Sequence, residues 1–159
     1  MNSCTLDRRI AVTVREEPGA PSLLHLSTEP DEINAAINDP SVRPSVGASE
    51  AGALDITPLI KPENLFPFGE HGGFALIWAA PRTREVHTFI RTSGRGTWAK
   101  EAAQEMIRIA REHGTERLFT RILPDSRNVA LFARAAGMRA TGEVTDYLGK
   151  PHNVYEMEA

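Results

Sequence analysis

The most informative stretch of this sequence is RTSGRGT, residues 91–97, which lies between a β-rich segment and a segment with helical periodicity. At a helix N-terminus the first N–H groups lack partners within the helix, and the helix dipole adds partial positive charge. Gly94 and Gly96 leave room for a ligand to approach these groups, while Arg91 and Arg95 add charge. The pattern favours an anion such as a pyrophosphate, although an ordinary strand-to-helix turn has the same local signature.

Two common nucleotide-binding motifs are excluded at this loop. The Gly-Lys-Ser/Thr ending of a P-loop is missing, and so is the third glycine of a dinucleotide fingerprint. We call residues 91–96 the glycine loop.

The segments around the glycine loop are regular. Apolar and β-branched residues predict strands, apolar residues three and four apart predict helices, and Gly114 and Gly137 mark helix ends. The predicted elements are strands over 73–79 and 85–90, a helix over 97–113, a strand over 118–123, a helix from Asp125 or Ser126 to Ala136, and strands over 143–148 and 153–157.

The first half of the chain is less regular. We predict a strand over 10–14, a helix capped by Thr28 and ending near Asp39, a strand over 54–60 that Pro58 weakens, and an irregular stretch over 61–72. The resulting order, β-α-β-β-β-α-β-α-β-β, contains one βαβ unit among hairpins. Such an order predicts a mixed α/β sheet covered by helices.

Composition limits the class of protein. The chain has 159 residues, of which 41% are hydrophobic and 25% charged, as expected for a single globular domain. No apolar run approaches the roughly 20 residues that span a bilayer, and no secretion signal is recognisable at the N-terminus. Cys4 is the only cysteine, and no Cys/His cluster suggests a metal. We therefore expect a cytoplasmic protein without disulfides or metal.

Charge is distributed unevenly along the chain. Residues 1–70 contain 11 acidic and 5 basic side chains, whereas residues 71–159 contain 10 acidic and 13 basic ones. The net charge of −3 argues against a nucleic-acid-binding protein. The second half is the better host for an anionic ligand, although random scatter of surface charge would explain the asymmetry equally well.

RTSGRG resembles the Arg/Gln-x-x-Gly-x-Gly/Ala pattern that binds acetyl-CoA in the GNAT superfamily of acyl-CoA N-acyltransferases. It occupies the family's position after the fourth strand, and residues 128–138 resemble the family's late helix. The resemblance is good over residues 73–143 and extends to residues 1–72 only through element order. Residues 85–89, running into the glycine loop, look most like GNAT-like proteins encoded by bacteriophages.

The resemblance implies a fold and a division of the chain. We expect a single GNAT-like domain over 1–159, of the α/β (α+β) class, with a mixed, mostly antiparallel sheet of six to seven strands flanked by helices. Within it, residues 1–72 would form the N-terminal part with the acceptor-side loops. Residues 73–143 would form the acetyl-CoA-binding core, and residues 144–159 the closing hairpin.

The family's cofactor contacts can be carried over by position. The resemblance implies that main-chain N–H groups at the glycine loop and helix start hold the pyrophosphate, that the end of the fourth strand pairs with the pantetheine arm, and that residues before the late helix contact CoA. The N–H donors concerned are Gly94, Arg95, Gly96 and Thr97, with the charge of Arg91 beside them; Phe89 and Ile90 are carried over for the pantetheine, and Ser126 and Asn128 before and in the late helix.

The sequence departs from the family pattern at the catalytic acid. Counting back from Gly137, the family's tyrosine falls at Ala133, which has no proton to donate. The remaining candidates for proton transfer are His87, Glu85, Tyr147 and His152. His87 is the best base, because histidine ordinarily titrates near neutral pH, although a structural histidine would suit the same strand. For Glu85 a solvated carboxylate, for Tyr147 apolar packing, and for His152 a turn are the simpler interpretations.

The functional expectation is transfer of an acetyl group from acetyl-CoA to an unidentified amine acceptor, without a metal. The expected partners are acetyl-CoA and the acceptor, with no nucleic acid or membrane, and GNAT domains commonly form homodimers. Because Ala133 replaces the tyrosine, a catalytically weak or inactive GNAT-like protein-binding module is the alternative. If the source is a phage, that module would be an accessory protein of the host cytoplasm or a component of the virion.

Overall fold

The computed structural model describes residues 19, 21–47 and 49–159. Their elements are β1 His25–Leu26, α1 Pro30–Ile37, β2 Pro67–Gly69, β3 Gly72–Ala80, β4 Thr83–Ile90, α2 Thr97–Glu112, β5 Arg117–Ile122, α3 Arg127–Ala135, β6 Arg139–Tyr147 and β7 Lys150–Glu158. The strand expected over 10–14 and Cys4 lie outside the described residues.

The seven strands form one sheet in the order β1-β2-β3-β4-β5-β7-β6. Every neighbouring pair is antiparallel except β4 and β5, which are parallel and are connected by α2. A parallel pair needs such a long crossover, whereas antiparallel strands can be joined by a tight turn. The predicted mixed, mostly antiparallel sheet flanked by helices is confirmed.

The sheet buries a different apolar cluster on each face. Alternation along β4 sends Val86 and Ile90 to the cluster beneath α2 and α3, and sends Phe89 to the cluster beneath α1. Ile33 and Ile37 of α1 fill the second cluster, as their helical spacing predicts. None of the helices in the described part of the chain is long and apolar enough to cross a membrane.

The strand predicted over 54–60 is wrong. The segment contains a 3₁₀ helix, Thr57–Leu59, with Pro58 at its start. The Asp55 carboxylate accepts hydrogen bonds from the Thr57 N–H group at 3.0 Å and hydroxyl at 2.6 Å, and this local turn competes with strand geometry. The second strand is instead β2, three residues within the stretch predicted to be irregular.

Two predicted end or turn positions also need correction. Helix α1 has Glu29 rather than Thr28 at its N-cap, with no side-chain capping hydrogen bond, and Pro30 begins the helix. His152 is not a turn residue, because β7 starts at Lys150 and His152 is 9% exposed within it.

Candidate functional site

The central sheet is split between β4 and β5. Residues 83–85 of β4 pair with residues 117–119 of β5. Just beyond them, the Thr120 hydroxyl donates a hydrogen bond to the Val86 carbonyl at 2.9 Å. From there β4 pairs only with β3, and β5 only with β7. Residues 87–90 therefore have no strand on their β5 side in the described structure, and they lead directly into the glycine loop.

An apolar cavity of about 40 Å³ lies at this split. By volume it would hold about three water molecules. Val86 and Thr88 line it from β4, Ala103 and Met106 from α2, and Phe132 and Ala133 from α3. Its only polar lining residues are Thr88 and Thr120, and the Thr120 hydroxyl is already bonded. Ala133, which replaces the expected tyrosine, contributes only a methyl group to this cavity.

The glycine loop has two kinds of N–H groups. Those of Gly94 and Arg95 donate to the carbonyls of Arg91 and Thr92, at 3.0 and 3.3 Å, within a 3₁₀ turn over Thr92–Gly94. The N–H groups of residues 96–99 have no acceptor among the described residues, and helical bonding begins with Lys100 donating to Gly96 at 3.2 Å. The open donors therefore lie at Gly96 and in the first turn of α2.

The two glycines of the loop are required for different reasons. Gly96 has φ of 102°, a conformation that other residues rarely adopt, and a Cβ there would meet nothing within 4 Å. Gly94 is buried, and a Cβ there would lie 2.4 Å from the Cβ of His71. Only Gly96 therefore leaves open space beside the free N–H groups, whereas Gly94 permits close packing inside the protein.

Both loop arginines contact the segment that follows α1. Arg91 Nε lies 3.2 Å from Asp39 Oδ2, and Arg95 Nη2 donates to the Ser41 carbonyl at 2.9 Å. The Thr92 N–H group donates to Ser41 Oγ at 3.2 Å. Hydrogen bonds from Ser41, assisted by the charge of Arg91, lower the pKa of Asp39. The loop is thus held against residues 39–41, on the side where the acceptor was expected.

Glu85, His87 and Arg121 form a polar cluster on the α1 side of the sheet. Glu85 is 9% exposed, and its two oxygens accept bonds from Arg121 Nε at 2.6 Å and Nη2 at 2.7 Å. His87 Nε2 lies 3.6 Å from Glu85 Oε2. Burial alone would raise the pKa of Glu85, but interactions with His87 and Arg121 outweigh it and bring the value to about 2. The expectation of a solvated carboxylate is therefore wrong.

The closing hairpin joins this cluster through Tyr147. The guanidinium of Arg121 lies 3.9 Å from the centre of the Tyr147 ring, and the His152 ring meets Tyr147 edge-on at 5.4 Å. Tyr147 therefore packs against a cation and an imidazole rather than an apolar patch. The cluster raises the pKa of Arg121, mainly through its bond to Glu85, so the guanidinium stays charged. His87, Glu85 and Tyr147 lie on one face of the sheet, where Arg121 contacts Glu85 and Tyr147, and His87 lies beside Glu85.

The other residues predicted to contact CoA lie on the two sides of the split between β4 and β5. Phe89 and Ile90 are buried at the end of β4 and point to opposite faces. Ser126 is the N-cap of α3, without a side-chain capping bond, and Asn128 is exposed in the first turn. The described residues contain no group of three or more His, Cys, Asp or Glu placed to hold a metal ion.

Sequence reasoning missed Arg121 and His71. Arg121 could have been found, because the parallel pairing of β4 and β5 and strict alternation place it on the face of Glu85. His71 lies in the turn between β2 and β3, a turn the sequence did not reveal. Its imidazole Nδ1 shares a hydrogen bond of 2.9 Å with Ser93 Oγ.

No protein-family model matches the chain, and none of the curated proteins matches it. Solved structures do match. An IAA acetyltransferase from Bacillus cereus shares 16% identity over 86% of this chain and 98% of that one, with a TM-score of 0.57. The microcin C7 self-immunity acetyltransferase MccE, solved with acetyl-CoA and AMP, shares 15% identity over 87% and 94%, with a TM-score of 0.61.

A third match covers nearly all of both chains. A probable GNAT-family acetyltransferase from Chromobacterium violaceum shares 14% identity over 99% of this chain and 97% of that one, with a TM-score of 0.62. At such identities the likeness concerns the fold. The chain therefore has the fold of the GNAT acetyltransferases, with its sheet split between β4 and β5.

Proposed function

We propose that this protein is an N-acetyltransferase that moves an acetyl group from acetyl-CoA directly to an amine. One observation supports the proposal most directly: the gap between β4 and β5 leads straight to the start of α2. Residues 87–90 expose an unpaired strand edge, and the chain leads from there to the open N–H groups of residues 96–99. A ligand that joins an extended amide chain to a pyrophosphate could pair with the strand edge and reach the open N–H groups. Acetyl-CoA has this structure.

The residues present fit such a donor. Gly96 and Thr97 would bind the pyrophosphate through their N–H groups, helped by the helix dipole and by the charge of Arg95. The pantetheine arm would pair with β4 near Phe89 and Ile90, along the apolar cavity at the split. Ser126 and Asn128 would contact CoA from the start of α3. MccE was solved with acetyl-CoA, and a Bacillus subtilis acetyltransferase of the same fold with CoA.

His87 would act as the base of the reaction. The nitrogen of a neutral amine attacks the thioester carbonyl carbon, the carbon–sulfur bond breaks, and the amine gives up a proton. His87, about one-third exposed on β4, can receive that proton. A main-chain N–H group near Ile90 would stabilise the negative charge on the carbonyl oxygen. The departing thiolate must regain a proton, and Tyr147 is the only candidate donor among the predicted residues.

The binding of acetyl-CoA and its transfer can be tested in sequence. Calorimetry with acetyl-CoA and with free CoA should give saturable binding, and a screen of amines and peptides should then give CoA release. A protein that binds neither ligand would contradict the proposal as a whole. Binding without transfer to any acceptor in the screen would contradict the catalytic part alone.

A catalytically weak or inactive GNAT-like module is the second candidate, and Ala133 favours it. Ala133 offers no proton donor at the cavity, where the only polar lining groups are threonine hydroxyls. Such a module would bind another protein and keep or lose CoA, as an accessory or virion-associated protein if the gene comes from a phage.

We also propose a cytoplasmic protein, located in the host cytoplasm if it is phage-encoded, with no nucleic-acid or membrane partner. Homodimerisation is expected, and light scattering after size-exclusion chromatography tests it directly.

A further inference from the structure

The turn between β2 and β3 contacts the glycine loop mainly through His71, while the Glu70 carbonyl accepts one longer bond from Arg91 Nη1 at 3.4 Å. The His71 carbonyl accepts a hydrogen bond from the Arg91 N–H group at 2.9 Å, and its imidazole Nδ1 shares the 2.9 Å bond with Ser93 Oγ. The His71 ring meets the Trp98 ring edge-on, with centroids 5.0 Å apart. One residue thereby contacts the start, the middle and the helical end of the region proposed to bind pyrophosphate.

Packing at Gly94 shows how tight this contact is. A Cβ on Gly94 would lie 2.4 Å from His71 Cβ and 3.0 Å from the Trp98 ring, so the loop backbone rests directly on the His71 side chain. That side chain is 24% exposed. Because this contact fixes the 3₁₀ turn, it also fixes where the free N–H groups of Gly96 and Thr97 point.

We infer that His71 is a positioning residue for the proposed acetyl-CoA site. It sets the conformation of the glycine loop through Ser93, Gly94 and Trp98, so that the first-turn N–H groups of α2 converge on the pyrophosphate. The inference rests on the proposed function and adds to it a residue outside the sequence motif. Preorganised donors bind more tightly, since no ordering cost is paid on binding.

The test compares a ligand that carries the pyrophosphate, as part of its 3′-phosphorylated ADP group, with one that lacks this whole group. Acetyl-CoA contains it, and S-acetylpantetheine contains the acyl arm alone. In calorimetry, His71→Ala should weaken acetyl-CoA binding about tenfold, the effect of losing one hydrogen bond and its packing. Binding of S-acetylpantetheine should change less than about twofold, and His71→Asn, which can still bond Ser93, should recover most of the acetyl-CoA affinity.

Two further variants keep the result interpretable. His25→Ala serves as the matched control, because His25 lies on β1 and pairs with Glu32 instead of the glycine loop. If His71→Ala fails to fold, Ser93→Ala removes the same hydrogen bond with the imidazole in place, and should weaken acetyl-CoA binding about threefold.

The outcomes separate the inference from the proposed function. If wild-type protein binds no acetyl-CoA, the proposed function fails. If wild-type protein binds but His71→Ala binds acetyl-CoA equally well, or loses both ligands in parallel, the positioning role is overturned. If His71→Ala cannot be folded, unchanged acetyl-CoA affinity in Ser93→Ala overturns it.

Discussion

Replacing Arg121 with methionine should strongly destabilise the protein, because it leaves the buried Glu85 carboxylate without its bidentate partner. Glu85 is 9% exposed and bonded at 2.6 and 2.7 Å. Removing one member of a buried ion pair typically costs about 3–5 kcal/mol. Methionine keeps an apolar side chain of similar length but removes the guanidinium that lies over the Tyr147 ring, so the loss should reflect the charge, its hydrogen bonds and this ring contact rather than a cavity.

The lowered pKa of Glu85 leads to the same range. The folded state lowers it from 4.5 to about 2, and each unit is worth about 1.4 kcal/mol, so the ionised carboxylate contributes at most about 3 kcal/mol, and less to the extent that solvent screens it. Since the folded pKa is the lower one, this stabilisation is complete above about pH 4.5 and is lost as the pH falls through about 2. By pH 3 about half of it remains.

Urea unfolding at pH 7 and pH 3 measures both effects. Arg121→Met should lower the free energy of unfolding at pH 7 by about 3 kcal/mol or more. Glu85→Gln should lose the part of the pH dependence that belongs to this carboxylate. Arg108→Met is the matched control, because Arg108 is 52% exposed, its pair with the exposed Glu112 should be worth less than about 0.5 kcal/mol, and its second partner, Glu105 at 3.7 Å, keeps hydrogen bonds from Ser22 and Leu23. If Arg121→Met is no less stable than the control, Arg121 does not stabilise the buried Glu85 carboxylate.

Three further predictions concern the proposed site. His87→Ala should lower turnover about 10²–10⁴-fold while acetyl-CoA affinity stays similar; full activity would exclude it as the base. Gly94→Ala should lower the melting temperature through the clash with His71, and Gly96→Ala should cost about 1–3 kcal/mol because of its φ of 102°; thermal unfolding measures both, and a variant that melts like wild type would contradict the corresponding cause. Ala133→Tyr should overfill the 40 Å³ cavity, and we expect it to destabilise the protein by about 1–3 kcal/mol and to weaken acetyl-CoA binding in calorimetry. A variant that is as stable as wild type and binds acetyl-CoA equally well would contradict this prediction.

The regular elements from β3 to β7 followed from the sequence. β3 and α2 are long enough for apolar periodicity and glycine stops to identify them without tertiary information, and their observed bounds differ from the predicted ones by one residue. The glycine loop was also visible, because its two glycines and its place before a helix are local properties.

The short strands at the sheet's edge could not be predicted. β1 has two residues and β2 three, and strands of that length carry no periodicity of their own. They exist because they pair, His25 with Phe68 and Phe68 with Gly73. The sequence favoured 54–60 instead, where the Asp55 side chain satisfies the backbone locally and starts a 3₁₀ helix.

Residue type and local spacing were enough to identify which residues could bind an anion or move a proton. Tertiary structure alone decided their partners. Parallel pairing brings Arg121 to Glu85 across 36 positions, which turns an expected solvated carboxylate into a buried ion with a pKa of about 2. The fold likewise sets His71 against Gly94, so that one glycine of the motif serves packing and the other leaves space for a ligand. Burial and charge pairing depend on what lies across the sheet, and neighbours in the chain do not encode that.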